Sequence, residues 1–180
     1  MLSKQVVRNV IRFYLITLLA VCGFAISKAY ANAPIKTSSL SHHVAKVCTA
    51  NCVDPNLLLF ALHEAVADYD KVDPNIMLAI LQVESSYQTK AVNRSNGKSV
   101  GLAQIQVHWH KDKFRTRNYS DVIDNVRVGT QIYQDCYIRH KGSRAKALWC
   151  FNGHQKHGMA KYVPKVMKAY AEIKQLKLFV

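Results

Sequence analysis

Acidic side chains are scarce in this sequence. Eleven Asp and Glu stand against 25 Lys and Arg, for a formal net charge of +14. Between Glu84 and Asp112 there is no acidic residue at all, which excludes a second carboxylate soon after Glu84 in the chain. No two cysteines have the CxxC spacing of a structural zinc site. His63-Glu64 begins the H-E-x-x-H pattern of zinc proteases, but Ala67 stands where the second histidine belongs. None of the usual nucleic-acid-binding motifs occurs, and no run of residues resembles a long sheet.

What the N-terminus does have is the form of a secretory signal peptide over residues 1–31. Lys4, Arg8 and Arg12 give a positive start. Residues 15–26 (LITLLAVCGFAI) are apolar but too short to span a bilayer comfortably. Ala29-Tyr30-Ala31 is a cleavage triplet. An uncleaved anchor is the competing reading. Lipidation at Cys22 is disfavoured by the bulk of Val21. Residues 1–31 hold four basic side chains (Lys4, Arg8, Arg12 and Lys28) and no acidic one, so the remaining 149 residues carry +10. The expectation is an exported, periplasmic protein that touches the membrane only through its signal peptide. So basic a chain adheres to polyanions, and in that compartment these are wall or envelope polymers rather than nucleic acid.

Past residue 31 the cysteines are Cys48, Cys52, Cys136 and Cys150. An even number in an exported protein points to disulfides, and four cysteines allow three pairings. Proximity in sequence favours Cys48–Cys52 with Cys136–Cys150.

Residues 32–47 read as a polar leader, and residues 48–180 as the folded domain. Asp54-Pro55 and Asp73-Pro74 each have the form of an N-cap followed by a first-turn proline. They predict helices over 54–68 and 73–85. Further helices are predicted over 120–139, 143–151 and 162–174, the fourth stopping at Asn152-Gly153. Between 89 and 109 helical periodicity fails, and Asn93, Ser95, Asn96, Gly97 and Gly101 mark loops or short strands. The fold class is mainly α.

On a helical wheel at about 100° per residue, Met77, Ile80, Leu81 and Glu84 fall within about 100° of arc. Asn75, Ala79 and Gln82 lie opposite. Glu84 thus points with the apolar face, at the C-terminal end of its helix. Burial and the negative helix end both disfavour its anion. A carboxyl kept protonated near neutrality is what glycosidic cleavage needs as general acid.

Glu84-Ser85-Ser86-Tyr87, then Ala91-Val92-Asn93, then Gly101-Leu102-Ala103-Gln104-Ile105 follow in order. Asp124-Asn125-Val126-Arg127-Val128-Gly129, Ala147-Leu148-Trp149-Cys150-Phe151-Asn152-Gly153 and Tyr162-Val163 complete the series. Together they resemble the transglycosylase SLT family, lysozyme-like lytic transglycosylases of the cell wall. The resemblance spans about residues 72–170. It implies a lysozyme-like α domain with a loop and short-strand region after the catalytic helix. It also implies cleavage between N-acetylmuramic acid and N-acetylglucosamine with Glu84 as acid and then base. The product would be a 1,6-anhydro sugar, with no cofactor or metal. Ser85 would hold the acid or a sugar group, with helix capping as the competing role. Gln104 would contact substrate, or else bond to backbone as a buried amide. Asn152 and Tyr162 would lie in the groove, Tyr162 having a core role as its alternative. Three departures stand out. Phe151 replaces the family's tyrosine, Ala103 its methionine, and the alanine of Y-N-A-G is missing.

The small size resembles transglycosylases that open the wall for a secretion, conjugation or pilus machine. Two rival readings remain. One is a muramidase with a second carboxylate facing Glu84, for which spacing leaves Asp112, Asp121 and Asp124 open. The other is a non-catalytic wall-binding or docking protein. His108, His110, His154 and His157 are expected to touch sugar or polyanion rather than metal. Trp109 is open between sugar stacking and the core.

Overall fold

A computed structural model describes residues 37–93 and 99–179. The signal-peptide expectation, and the loop expectation at Ser95, Asn96 and Gly97, lie outside the described residues.

The first helix among the described residues, α1 (Thr37–Val47), lies where a polar leader is expected. Leu40, His43 and Val44 are buried, and Val47 packs against the core. Their i, i+3, i+4, i+7 spacing makes one apolar stripe among Ser, Thr and Lys, so over 37–47 the leader reading is corrected. His43 Nε2 lies 2.9 Å from Gln82 Oε1, which fastens α1 onto the domain. A disulfide joins Cys48 to Cys52 just after it.

The Asp-Pro pairs open α2 (Pro55–Asp68) and α3 (Pro74–Ser85). Asp54 accepts from the Leu57 N–H and Asp73 from the Asn75 N–H, both at 2.9 Å. These bonds satisfy amides that have no partner in the first turn. Asp73 is also tied to the last helix, because the Tyr170 hydroxyl donates to it at 2.6 Å. Burial pushes the Asp73 carboxyl up, but hydrogen bonds from Tyr170 and Asn75 outweigh it and hold the pKa below the usual value.

The chain then forms a three-stranded antiparallel sheet of two-residue strands, β1 (Val92–Asn93), β2 (Ser99–Val100) and β3 (Ile105–Gln106), in the order β1-β2-β3. A one-turn helix, α4 (Val107–His110), follows and leads into a 3₁₀ turn at Lys111–Lys113. Four residues are too few to show a period, so the sequence gives α4 no signal. The long helix α5 (Val122–Arg139) packs on α2, and α6 (Arg144–Phe151) packs on α5. The Cys136–Cys150 disulfide joins α5 to α6. A π-helical turn at Gly158–Tyr162 leads into α7 (Val163–Gln175), which packs on α3.

The core wraps α3. Six consecutive residues, Ile76, Met77, Leu78, Ala79, Ile80 and Leu81, have no exposed surface. On the face that a wheel leaves to solvent, with Asn75, Ala79 and Gln82, Ala79 is buried and Gln82 meets His43 of α1. A helix apolar on most sides belongs in the middle of a domain. Among the described residues no helix is long and apolar enough to cross a membrane.

Candidate active site

Glu84 lies in the last turn of α3, where the apolar run ends. The helix stops at once because Ser86 (φ +51°) and Tyr87 (φ +62°) both adopt left-handed backbone. Two such non-glycine residues in succession are strained. What holds them is the fully buried Tyr87 ring, whose hydroxyl donates to the Leu78 carbonyl at 3.2 Å. The Val53 N–H donates to the Tyr87 carbonyl at 3.0 Å, and the Thr89 N–H to the Asn51 carbonyl at 3.0 Å. The turn after the acid is thus pinned from both sides.

The Glu84 side chain is half-buried and reaches a cleft of about 750 Å³. Burial pushes its pKa from 4.5 up to about 7, although a hydrogen bond from Tyr162 works in the opposite direction. That bond is short: the Tyr162 hydroxyl donates to Glu84 Oε1 at 2.6 Å. Burial and the neighbouring Glu84 push the Tyr162 phenol far above its ordinary pKa, so it remains a donor throughout the working range. One carboxyl oxygen is thereby held from behind, and the other is left for a proton. This is the arrangement of a general acid near neutrality.

The expected site residues separate. Gln104 and Asn152 line the cleft with Glu84. Gln104 sits at φ +47°, and its Nε2 donates to the carbonyls of Ala91 (3.0 Å) and Gly101 (2.9 Å). Its amide nitrogen therefore closes the turn that forms the wall. Asn152 caps the end of α6. Tyr162 holds the acid from behind rather than lining the cleft. Ser85 is not part of the cleft lining. It is buried, and its hydroxyl donates to the Leu81 carbonyl at 3.0 Å. One residue beyond Glu84 is about 100° around the helix, which turns Ser85 away from the opening.

Both side-chain departures have a place in the geometry. Phe151 lines the cleft, so the wall there is a ring without a hydroxyl. Ala103 meets α5 at Gly129, where an added Cβ would come within 2.8 Å of the Ala103 Cβ. Gly129 has no room for a side chain while Ala103 stays so close.

Sequence reasoning missed the other wall. Ile132, Asp135, Cys136 and Arg139 all line the cleft. They repeat at i, i+3, i+4, i+7, so α5 presents a stripe there. Reading only the apolar members hid its two charges. Asp135 pairs with Lys113 at 3.5 Å. The other acids open from spacing are engaged elsewhere: Asp121 caps α5, and Asp124 is buried against Arg127 at 2.7 Å. Asp112 lies on the 3₁₀ turn and is not part of the cleft lining. His110 also lines the cleft, where burial, then Lys113, hold its pKa below the usual value. Ligand atoms of His140, Cys150 and His154 lie within 4.8 Å of one another. The Cys150 sulfur is committed to its disulfide, which leaves two imidazoles and no complete metal set.

A family model described as the transglycosylase SLT domain matches residues 62–172. The chain belongs to this family. As an SLT domain it is a peptidoglycan lytic transglycosylase, a lyase acting on polysaccharide. Its mainly helical structure is that of a lysozyme-like α domain. No curated protein and no solved structure matches the chain. The SLT match takes in α3, the sheet, α5, α6 and most of α7, hence every residue of the cleft, and leaves out α1 and the Cys48–Cys52 disulfide.

Tyr162 gives a direct test of the geometry at the acid. Tyr162→Phe removes the one bond that lowers the Glu84 pKa. The alkaline limb of the pH–activity profile should move to higher pH. At pH 6 the rate should fall by about tenfold, because one oxygen of the acid is no longer held. An unmoved limb would show that the phenol does not touch the working carboxyl.

Proposed function

We propose that Glu84 is the sole catalytic carboxyl of an exported transglycosylase. As acid it donates its proton to the oxygen between N-acetylmuramic acid and N-acetylglucosamine, and the glycosidic bond breaks. As base it then takes the proton of the muramic C6 hydroxyl, whose oxygen bonds to C1. The product is 1,6-anhydro-N-acetylmuramic acid, and no water is consumed. The observation that carries this reading is a carboxyl at the edge of a cleft of about 750 Å³ with one oxygen held by Tyr162 at 2.6 Å, where burial pushes its pKa up to about 7. Such a group is present in both protonation states at neutrality, as one residue acting in turn as acid and base requires.

Residues 32–180 with purified peptidoglycan, and muropeptides read by mass spectrometry, provide the test. Anhydro-muramyl ends support the reading, and reducing ends overturn it. Export rests on the N-terminal pattern, and the excess of positive charge suits a wall of anionic polymers. Local wall opening for a secretion, conjugation or pilus machine is the role we favour by analogy with the small members of the family.

One observation favours a hydrolase: Asp135 lines the same cleft as Glu84. A water-activating base is worth about 10² to 10⁴ in rate. Asp135→Asn should nevertheless leave anhydro products forming at close to the wild-type rate, because the proposed reaction has no water to activate. A loss of about 100-fold or more would make Asp135 the second carboxyl of a muramidase. The non-catalytic reading requires Glu84→Gln to leave function intact.

A further inference from the structure

Trp109 is 70% exposed. Trp is among the most buried side chains on average, and leaving its ring in water forgoes a large apolar gain. The position is not casual. Trp109 sits on the single turn α4, immediately after β3, and lines the cleft that Glu84 enters. The His108 ring packs beside it with centroids 4.6 Å apart and planes tilted by 45°.

Its surroundings choose among ligands. Among the described residues, Leu57, Phe60, Val92, Ile138 and Met159 are the other large apolar side chains left exposed, and none of them lines the cleft. A protein or membrane partner needs a contiguous exposed apolar patch, whereas the apolar residues that share the cleft, Ile105, Ile132 and Phe151, are buried or half-buried. The exposed and half-buried cleft neighbours of Trp109 along the chain are polar (Gln104, Gln106, His110 and Lys113), while Ala103 and Ile105 between them are buried. One flat apolar face within a ring of hydrogen-bonding groups matches a pyranose. The sugar offers a face of C–H bonds and a rim of hydroxyl and acetamido groups.

We propose that Trp109 is the stacking platform of a glycan subsite, taking the face of an N-acetylhexosamine ring of the strand away from the bond that Glu84 cleaves. The assignment rests on the cleft being the glycan site proposed above. It makes Trp109 a binding residue that holds the strand equally in ground and transition state. Its loss should therefore raise KM and leave kcat nearly unchanged.

The experiment has a binding arm and a kinetic arm. The probe for the first is N-acetylated chitotriose, which contains no muramic acid. Intrinsic fluorescence reports it, since the chain has two tryptophans. Trp149 is held by its Nε1 donating to the Gln155 carbonyl at 3.2 Å, and Trp149→Phe isolates the Trp109 signal. The expected result is saturable quenching in wild type and Trp149→Phe. Affinity should be weaker by about tenfold or more in Trp109→Ala, and partly kept in Trp109→Phe. In the kinetic arm, Trp109→Ala should raise KM on peptidoglycan by a similar factor. Circular dichroism checks the fold, from which an exposed side chain is missing little.

Equal chitotriose affinity in wild type and Trp109→Ala would overturn the assignment. So would a Trp109 response to phospholipid vesicles but not to the sugar. Catalysis is judged separately. Wild type that binds chitotriose through Trp109 yet releases no muropeptides would keep the platform and remove the enzyme reading. Normal release with an unchanged KM in Trp109→Ala would do the reverse.

Discussion

Glu84→Gln should abolish release of anhydro-muropeptides while making the folded protein more stable above neutral pH. A positioned general acid is worth about 10² to 10⁴ in rate. Glu84 serves both halves of the proposed reaction, so a loss at the upper end of that range is expected. The gain in stability follows from the same burial. The Glu84 carboxyl has a pKa of about 7 in the fold against a reference value of 4.5. Between those values the folded state binds a proton that the unfolded state has released, so wild-type stability falls as pH rises. The fall starts near pH 4.5 and is complete above about pH 7. It amounts to at most about 3 kcal/mol, since a tenfold difference in proton affinity is worth about 1.4 kcal/mol. Glutamine has no proton to lose, and the variant lacks this fall. Urea unfolding at pH 5 and pH 8.5, run beside muropeptide release at each pH, measures both effects. Wild-type activity should decline through an apparent pKa near 7. Activity that stays flat from pH 5 to 8, or a Glu84→Gln protein that still cuts, would remove Glu84 from the chemistry.

The helices were legible because their signals are local. Asp54-Pro55 and Asp73-Pro74 state where two helices begin, and Asn152-Gly153 states where a third stops. The direction of Glu84 was legible for a related reason: a wheel places it beside Met77, Ile80 and Leu81 whatever those residues pack against. What a wheel lacks is the neighbour. Gln82 looks solvent-facing until His43 of α1 reaches it, and α1 itself hides its stripe among serines, threonines and histidines. The family resemblance puts Ser85 beside the acid or a sugar group, whereas one step along a helix turns a side chain by about 100°, here into the core. Asp135 and Arg139 were missed because α5 was read for its apolar residues alone. The cleft needs a helix whose stripe is half apolar and half charged, and no periodicity of one residue class reports that. Tyr162 stands 78 residues from Glu84. Its role as partner to the acid depends on α7 packing against α3, a tertiary fact.

Asn125→Asp should cost about 3 kcal/mol or more at pH 8, the largest stability loss expected from a change of so few atoms. Asn125 has no exposed surface. Its Oδ1 accepts from the Ala103 N–H at 2.8 Å. Its Nδ2 donates to the carbonyls of Tyr119 at 2.9 Å and Val100 at 3.1 Å. The amide thus ties β2, the turn that carries Gln104 and the segment before α5 to one point. Nothing larger than hydrogen fits on the residue opposite: a Cβ on Gly101 would lie 2.5 Å from Asn125 Nδ2, and Gly101 also has φ +73°. Aspartate keeps the shape but replaces two N–H bonds with an oxygen facing two carbonyl oxygens. In its anionic form it satisfies neither carbonyl and repels both. In its neutral form it donates to one of them. The fold therefore favours the protonated acid and raises its pKa, so stability is kept at low pH and lost as pH rises through that value. Unfolding midpoints at pH 4.5 and pH 8 should diverge for Asn125→Asp by more than for wild type. Activity should fail together with stability, because the wall bearing Gln104 loosens before the core around α3 does. Equal midpoints for the variant and wild type at pH 8 would show that the amide does not hold the wall. In Glu84→Gln the cleft stays closed and the chemistry stops, whereas in Asn125→Asp the acid stays intact and the cleft comes apart around it.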